Sequence, residues 1–147
     1  MDGSTDFQGK KWADYAKGFG NPAVLNVKQK IVIQRRMDGS TDFQGKKWAD
    51  NAKGFGNPAS EYWLGNDAIH ALTKTGNQKL RIDVARFSGV SGNATYSTFI
   101  VNNAANKYKL TVGGYKGSSG FKDNLSYHNG MYFSTTDTDN DKYGDPC

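Results

Sequence analysis

Asp137, Asp139, Asp141 and Asp145 lie close together in the run Asp137-Thr138-Asp139-Asn140-Asp141-Lys142-Tyr143-Gly144-Asp145. Oxygen ligands at alternate positions of a loop suit calcium, a hard cation that takes about six to eight oxygens. The run is not an EF-hand loop: the sixth residue from Asp137 is Lys142, where that loop needs glycine, and no twelfth residue follows to supply its glutamate. The alternative is a solvated acidic loop. In that case the carboxylates would repel one another without neutralisation.

The other groups capable of chemistry are sparse. His70 falls in a predicted short helix and His128 in the turn Tyr127-His128-Asn129-Gly130. A Ser126/His128/Asp triad has no nucleophile-elbow motif to support it, and zinc lacks a Cys/His cluster. Structural roles are the expectation for both histidines, and an enzyme is not expected, because no paired acid and base can be named. Two glycosylation sequons, Asn93-Ala94-Thr95 and Asn124-Leu125-Ser126, fall in predicted loops. The single cysteine is Cys147; it is either a bland thiol or half of a disulfide whose partner lies elsewhere.

These residues need elements to hold them. Met1-Asp2-Gly3-Ser4-Thr5-Asp6-Phe7 recurs as Met37-Asp38-Gly39-Ser40-Thr41-Asp42-Phe43. The match continues to Ala23 and Ala59 with one difference, Tyr15 against Asn51. Surface and core positions agree alike, which indicates a recent duplication or an assembly artefact; a solenoid would need about three or more units. In the second copy Ser40 or Thr41 is expected to cap a helix over residues 42–53, with Phe43, Lys47 or Trp48, and Ala52 on one face. Gly54-Phe55-Gly56-Asn57-Pro58 ends it. Trp48 and Phe55 are read as core.

A strand is predicted over residues 27–36 and a short helix over 67–73. The pattern then switches to period two. Leu80, Ile82 and Val84 alternate with Arg81, Asp83 and Ala85; Tyr96, Thr98 and Ile100 face opposite to Ser97, Phe99 and Val101; and Tyr108, Leu110 and Val112 form another such run. Turns are predicted at 88–93, 102–106 and 113–120. Short strands with turns between them give an α+β class: a twisted antiparallel sheet with short helices. From Ser118 onward the chain is polar and glycine-rich, and its order calls for outside support such as a metal.

Composition narrows the classes. Aromatics make up 13% of the 147 residues, too many for a disordered chain. Net charge is +5, but the bases are scattered, so nucleic-acid binding is not expected. No apolar run approaches the roughly 20 residues of a membrane span. Met1 is followed by Asp-Gly-Ser-Thr-Asp rather than a signal-peptide pattern, and the chain is read as a fragment or a mis-assembled product.

A chain of motifs resembles the fibrinogen C-terminal domain family. Val32-Ile33-Gln34-Arg35-Arg36 leads into Asp38-Gly39-Ser40, followed by Trp48 and Lys53-Gly54-Phe55-Gly56. Glu61-Tyr62-Trp63-Leu64-Gly65-Asn66 with Ile69-His70 comes next, then Leu80-Arg81-Ile82-Asp83 and residues 108–115. Ser126-Tyr127-His128-Asn129-Gly130-Met131-Tyr132-Phe133-Ser134-Thr135 runs into the aspartates, in the family's order.

The resemblance implies a calcium site. Asp139 and Asp141 match side-chain ligands, and Tyr143 and Asp145 match positions that give backbone carbonyls. It implies a secreted, extracellular, lectin-like protein of the ficolin and tachylectin kind, binding acetylated carbohydrates or microbial surfaces in innate immunity. Other members bind receptors or matrix, so an adhesion or receptor-binding domain is the alternative, as is a truncated product without its ligand pocket. The partner is then a carbohydrate or glycoprotein, and the full-length parent is oligomeric. The sequence departs from the family in the duplicated block and in Asn51, where a tyrosine is usual. Cys147 matches the first half of a disulfide beside the acetyl pocket, and the pocket itself is expected to lie beyond it. The domain reading is a duplicated segment at 1–23, a connector at 24–30 and a partial fibrinogen-like domain at 31–147.

Overall fold

A computed structural model describes residues 30–85 and 89–142. The chain divides into two units at Ile31/Val32. The elements of the second unit, in order, are β1 (Gln34–Arg35), α1 (Trp48–Lys53), β2 (Phe55–Gly56), β3 (Tyr62–Trp63), α2 (Asn66–Thr73), β4 (Leu80–Ala85), β5 (Ser91–Val101), a 3₁₀ turn (Ala104–Asn106), β6 (Leu110–Gly117) and a second 3₁₀ turn (Ser126–His128).

Two antiparallel sheets result. The small one runs β1-β3-β2, and the larger one β4-β5-β6. The larger sheet is the predicted one, with Leu80 opposite Tyr96 and Ile82 opposite Ala94. Its central strand buries both faces: Tyr96 is 2% exposed and Phe99 9%. Alternation alone put these two residues on opposite faces, and both faces are covered.

Four boundaries differ from the sequence reading, one of them the turn predicted at 88–93, where β5 already begins at Ser91. The helix expected over 42–53 forms only at Trp48–Lys53. Asp42 instead accepts the Gly45 N–H at 2.8 Å and closes a turn. Ser40 and Thr41 are not caps: their own amides are taken by Asp38 and Glu61. The strand expected over 27–36 pairs only at Gln34 and Arg35 among the described residues. The turn predicted at 113–120 starts late, because β6 continues to Gly117. Gly114 allows this with φ +69°; a Cβ there would collide with the Ser97 hydroxyl.

α2 is fastened to the end of β5 by polar contacts. The Thr73 hydroxyl donates to Ile69 O at 2.8 Å and accepts from Val101 N–H at 3.0 Å. His70 Nδ1 lies 2.8 Å from Val101 O, so this nitrogen carries the proton and donates. Ile69, 1% exposed, fills the core beneath. α1 meets the start of α2 at Gly65 (φ +101°), where a Cβ would lie 2.6 Å from the Lys53 carbonyl carbon. Only glycine permits that approach.

Candidate functional site

The acidic loop is built on an aromatic base. Tyr108 is 3% exposed and sits 5.2 Å from Trp48 and 6.5 Å from Phe133, centroid to centroid. Trp63 stacks on Phe133 at 6.5 Å and donates its indole N–H to Asn51 O. Four rings from α1, β3, the turn after Asn106 and the loop's entrance thus pack together. Trp48 packs against these rings but stays half-buried, so the core role expected for it is met only in part. Asn51 spends its side-chain amide on Lys46 O and Lys47 O.

From that base the loop is held by hydrogen bonds. Phe133 N–H donates to Lys107 O. Thr135 and Thr138 exchange two backbone bonds and make a tight turn. Asn140 ties back twice, through its N–H to the Ser134 hydroxyl and through its amide to Phe133 O.

Asp137 faces the protein. Its Oδ1 accepts the Trp48 N–H at 2.9 Å and the Thr135 hydroxyl at 2.8 Å. The first of these bonds, then the second, holds its carboxyl below the usual range. It satisfies an amide at the start of α1 that the helix itself cannot. The remaining carboxylates divide by position: Asp139 Oδ1 accepts the Asp141 N–H at 3.0 Å, which folds the two into one turn. Tyr143, Asp145 and Cys147 lie outside the described residues. Among the described residues no three His, Cys, Asp or Glu side chains are grouped to hold a metal. The fit to calcium therefore rests on donor chemistry: two carboxylates in one turn, at the spacing a hard cation uses.

The other candidate residues separate. Asn93 is not in a loop: it sits within β5, opposite Asp83, and its N–H bonds the Ser118 hydroxyl. Pairing with β4, Asn93 opposite Asp83 and Gly92 opposite Val84, overrode the Gly/Asn turn signal there. Asn124 is in a loop and is exposed. His128 is exposed at the end of its 3₁₀ turn, edge-on to Tyr127 at 5.4 Å. The Ser126 N–H is taken by Asp123.

Glu61 escaped the sequence reading as a group with a role of its own. It is 1% exposed. Its Oε1 accepts from the amides of Met37, Asp38 and Gly39 at 2.8, 3.1 and 3.0 Å, and its Oε2 from Thr41 at 2.8 Å. Arg36 Nε lies 3.6 Å away, its guanidinium 3.9 Å from the Phe43 ring centroid. These backbone donors, led by those of Met37 and Thr41, lower the carboxyl to about 2. The signal in the sequence was a glutamate opening the apolar stretch Tyr62-Trp63-Leu64, with a turn rich in unpaired amides upstream.

Residues 25–147 match the family of fibrinogen beta and gamma chains, C-terminal globular domain. The chain belongs to that family. Ryncolin-4 of Cerberus rynchops is 53% identical over 83 residues, covering 56% of this chain and 24% of the relative. The fibrinogen beta chain of Gallus gallus is 41% identical over 153 residues, covering 96% and 27%. The fibrinogen-like globe domain of human ANGPTL6 superposes with a TM-score of 0.73 at 39% identity, over 78% of this chain and 50% of that one. Lamprey fibrin D-dimer, complexed with the peptide Gly-His-Arg-Pro-amide, superposes with a TM-score of 0.69 at 34% identity, over 79% and 41%. The chain thus spans about a quarter of these curated relatives and half or less of the solved domains. The α+β fibrinogen-related fold expected from the sequence is the one found. Among the described residues no helix is long and apolar enough to cross a membrane.

Proposed function

We propose that the chain is a secreted, calcium-dependent recognition module, lectin-like, that binds acetylated carbohydrate on microbial surfaces. The observation that carries this is the Asp139–Asp141 turn, mounted on four packed aromatic rings in a member of the fibrinogen-related family. In this reading Asp139 and Asp141 supply side-chain oxygens, and Tyr143 and Asp145 supply carbonyls. Bound calcium would neutralise the loop and fix its shape. The chain's own residues do the rest: Asp137 anchors the loop to α1, and Asn140 ties it to residues 133 and 134. Cys147 would form half of a disulfide near the ligand pocket. The role is binding, not catalysis.

Binding to N-acetylglucosamine-coated beads, in calcium and in EDTA, tests this reading. Retention in calcium that EDTA abolishes is expected; no retention in either contradicts the sugar assignment. A second reading follows from the lamprey relative, whose ligand is a peptide. A chain that ignores the beads but binds Gly-His-Arg-Pro-amide would favour a protein-binding module.

Secretion also makes Asn124 the glycan acceptor. Expressed through a eukaryotic secretory pathway, the chain should lose mass on endoglycosidase treatment, and Asn124→Gln should remove most of that loss. An unchanged loss in that variant would move the glycan to Asn93.

A further inference from the structure

The acidic loop's neighbour is a cationic surface that the calcium reading does not use. Lys107 and Tyr108 are consecutive non-glycine residues with positive φ, +51° and +47°. Such a pair is uncommon and persists only where its surroundings enforce it. Here five backbone bonds enforce it: Lys107 N to Ala104 O, Tyr108 N to Asn103 O, Lys109 N to Asn106 O, Asn102 N to Lys109 O and Phe133 N to Lys107 O. The turn drives Tyr108 into the core, where its hydroxyl donates to Asp67. Lys107 and Lys109 are left outside, both exposed. Their ammonium groups converge on one ring, 5.6 and 5.8 Å from the centroid of Tyr132, which is 42% exposed. Tyr127 and His128, exposed in the adjoining turn, extend the surface.

Charge is segregated here in sequence as well. From Val84 to Thr136 the only acidic residue is Asp123, and its carboxylate is committed to the Tyr96 hydroxyl and the Ser126 N–H. Asp67, beneath the turn, accepts the Tyr108 hydroxyl. Among the described residues neither Lys107 nor Lys109 is in an ion pair, and two ammonium groups held side by side favour an anion.

We propose that Lys107, Lys109 and Tyr132 form a docking site for an anionic polysaccharide, with sulfate or carboxylate between the ammonium groups and sugar hydroxyls at the tyrosine's edge. Nucleic acid fits less well, because stacking a base requires an open aromatic face and the Tyr132 ring already lies under two cations. What the tyrosine offers beyond that is its edge and its hydroxyl, which suit the hydroxyl groups of a pyranose. A membrane surface would need apolar residues to insert beside the charges, and Lys107, Lys109, Tyr132, Tyr127 and His128 bring none that is aliphatic. The site uses neither calcium nor the acetyl pocket, so it stands apart from the proposed lectin activity.

Heparin binding by the full chain, measured in EDTA at about 50 mM salt where charge contacts are weakly screened, tests this site. Lys107→Asn with Lys109→Gln should weaken binding roughly tenfold or more; asparagine is chosen because it tolerates positive φ. Lys116→Gln with Lys122→Gln carries the same change in net charge and should stay within about twofold of wild type. Circular dichroism establishes that each variant folds. If the first pair does not fold, Lys109 alone is changed: glutamine should weaken binding and arginine should keep it. No heparin binding by wild type, or equal losses in the two double variants, would overturn the site. So would tighter capture by a single-stranded oligonucleotide or a phosphatidylserine vesicle through the same lysines.

Discussion

At the scale of single residues, Glu61 shows how a charge can be buried without a cost in specificity. Four backbone amides and a guanidinium replace the water it leaves. Its carboxyl falls from 4.5 to about 2. A depressed carboxyl stabilises the fold fully above its unfolded value and loses that contribution as pH falls toward the folded one. Thermal melts of the wild type should therefore be flat near neutrality and decline as pH drops from about 4.5 toward 2. Glu61→Gln removes the charge and leaves the amides of residues 37–41 poorly matched. Its midpoint at pH 7 should fall by roughly 10 °C, and the acid decline should be shallower than in wild type. An unshifted midpoint would show that the turn does not depend on the carboxylate. The glutamate's role was hidden in the sequence because its donors are main-chain groups, which side-chain patterns do not display.

At the scale of elements, local pattern was a good guide where an element is stabilised by its own periodicity and a poor one where distant residues complete it. The strand at 80–85, the first residues of the strand at 110–117 and the helix at 66–73 follow from their apolar spacing. α1 is different. Its first amide is satisfied by Asp137, far along the chain, and the preceding turn is claimed by Asp42 and Glu61. Locally, only the Asp50 carboxylate marks its start, by accepting the Lys47 N–H at 3.1 Å. The α2–β5 joint is likewise tertiary: Thr73 and His70 together satisfy both peptide groups of Val101. Thr73→Val keeps the shape of the buried side chain but strands the Val101 N–H, at a cost of about 1–3 kcal/mol. Urea unfolding should show this as a lower midpoint with an unchanged slope. A neutral outcome would mean that the amide finds another acceptor.

At the scale of the whole molecule, the family was legible because its motifs are strung in order along the chain, and the fold that those motifs imply is present from Val32 onward. The proposed calcium site was legible only in part. Spacing pointed to the aspartates, and the structure separates Asp137, which serves α1, from Asp139 and Asp141, which share a turn. Spacing cannot make that distinction, because it does not show which carboxylate meets a helix end. The joined architecture also explains why calcium should matter beyond its own loop. Residues 133–140 contact Trp48, Trp63 and Lys107, so tightening the loop tightens the aromatic base. The unfolding midpoint of the full chain in millimolar calcium against EDTA is the most direct measurement. A ligand that binds only the folded state must raise it. A rise of several degrees is expected for wild type and none for Asp139→Asn with Asp141→Asn; equal midpoints for wild type in calcium and in EDTA would contradict the account.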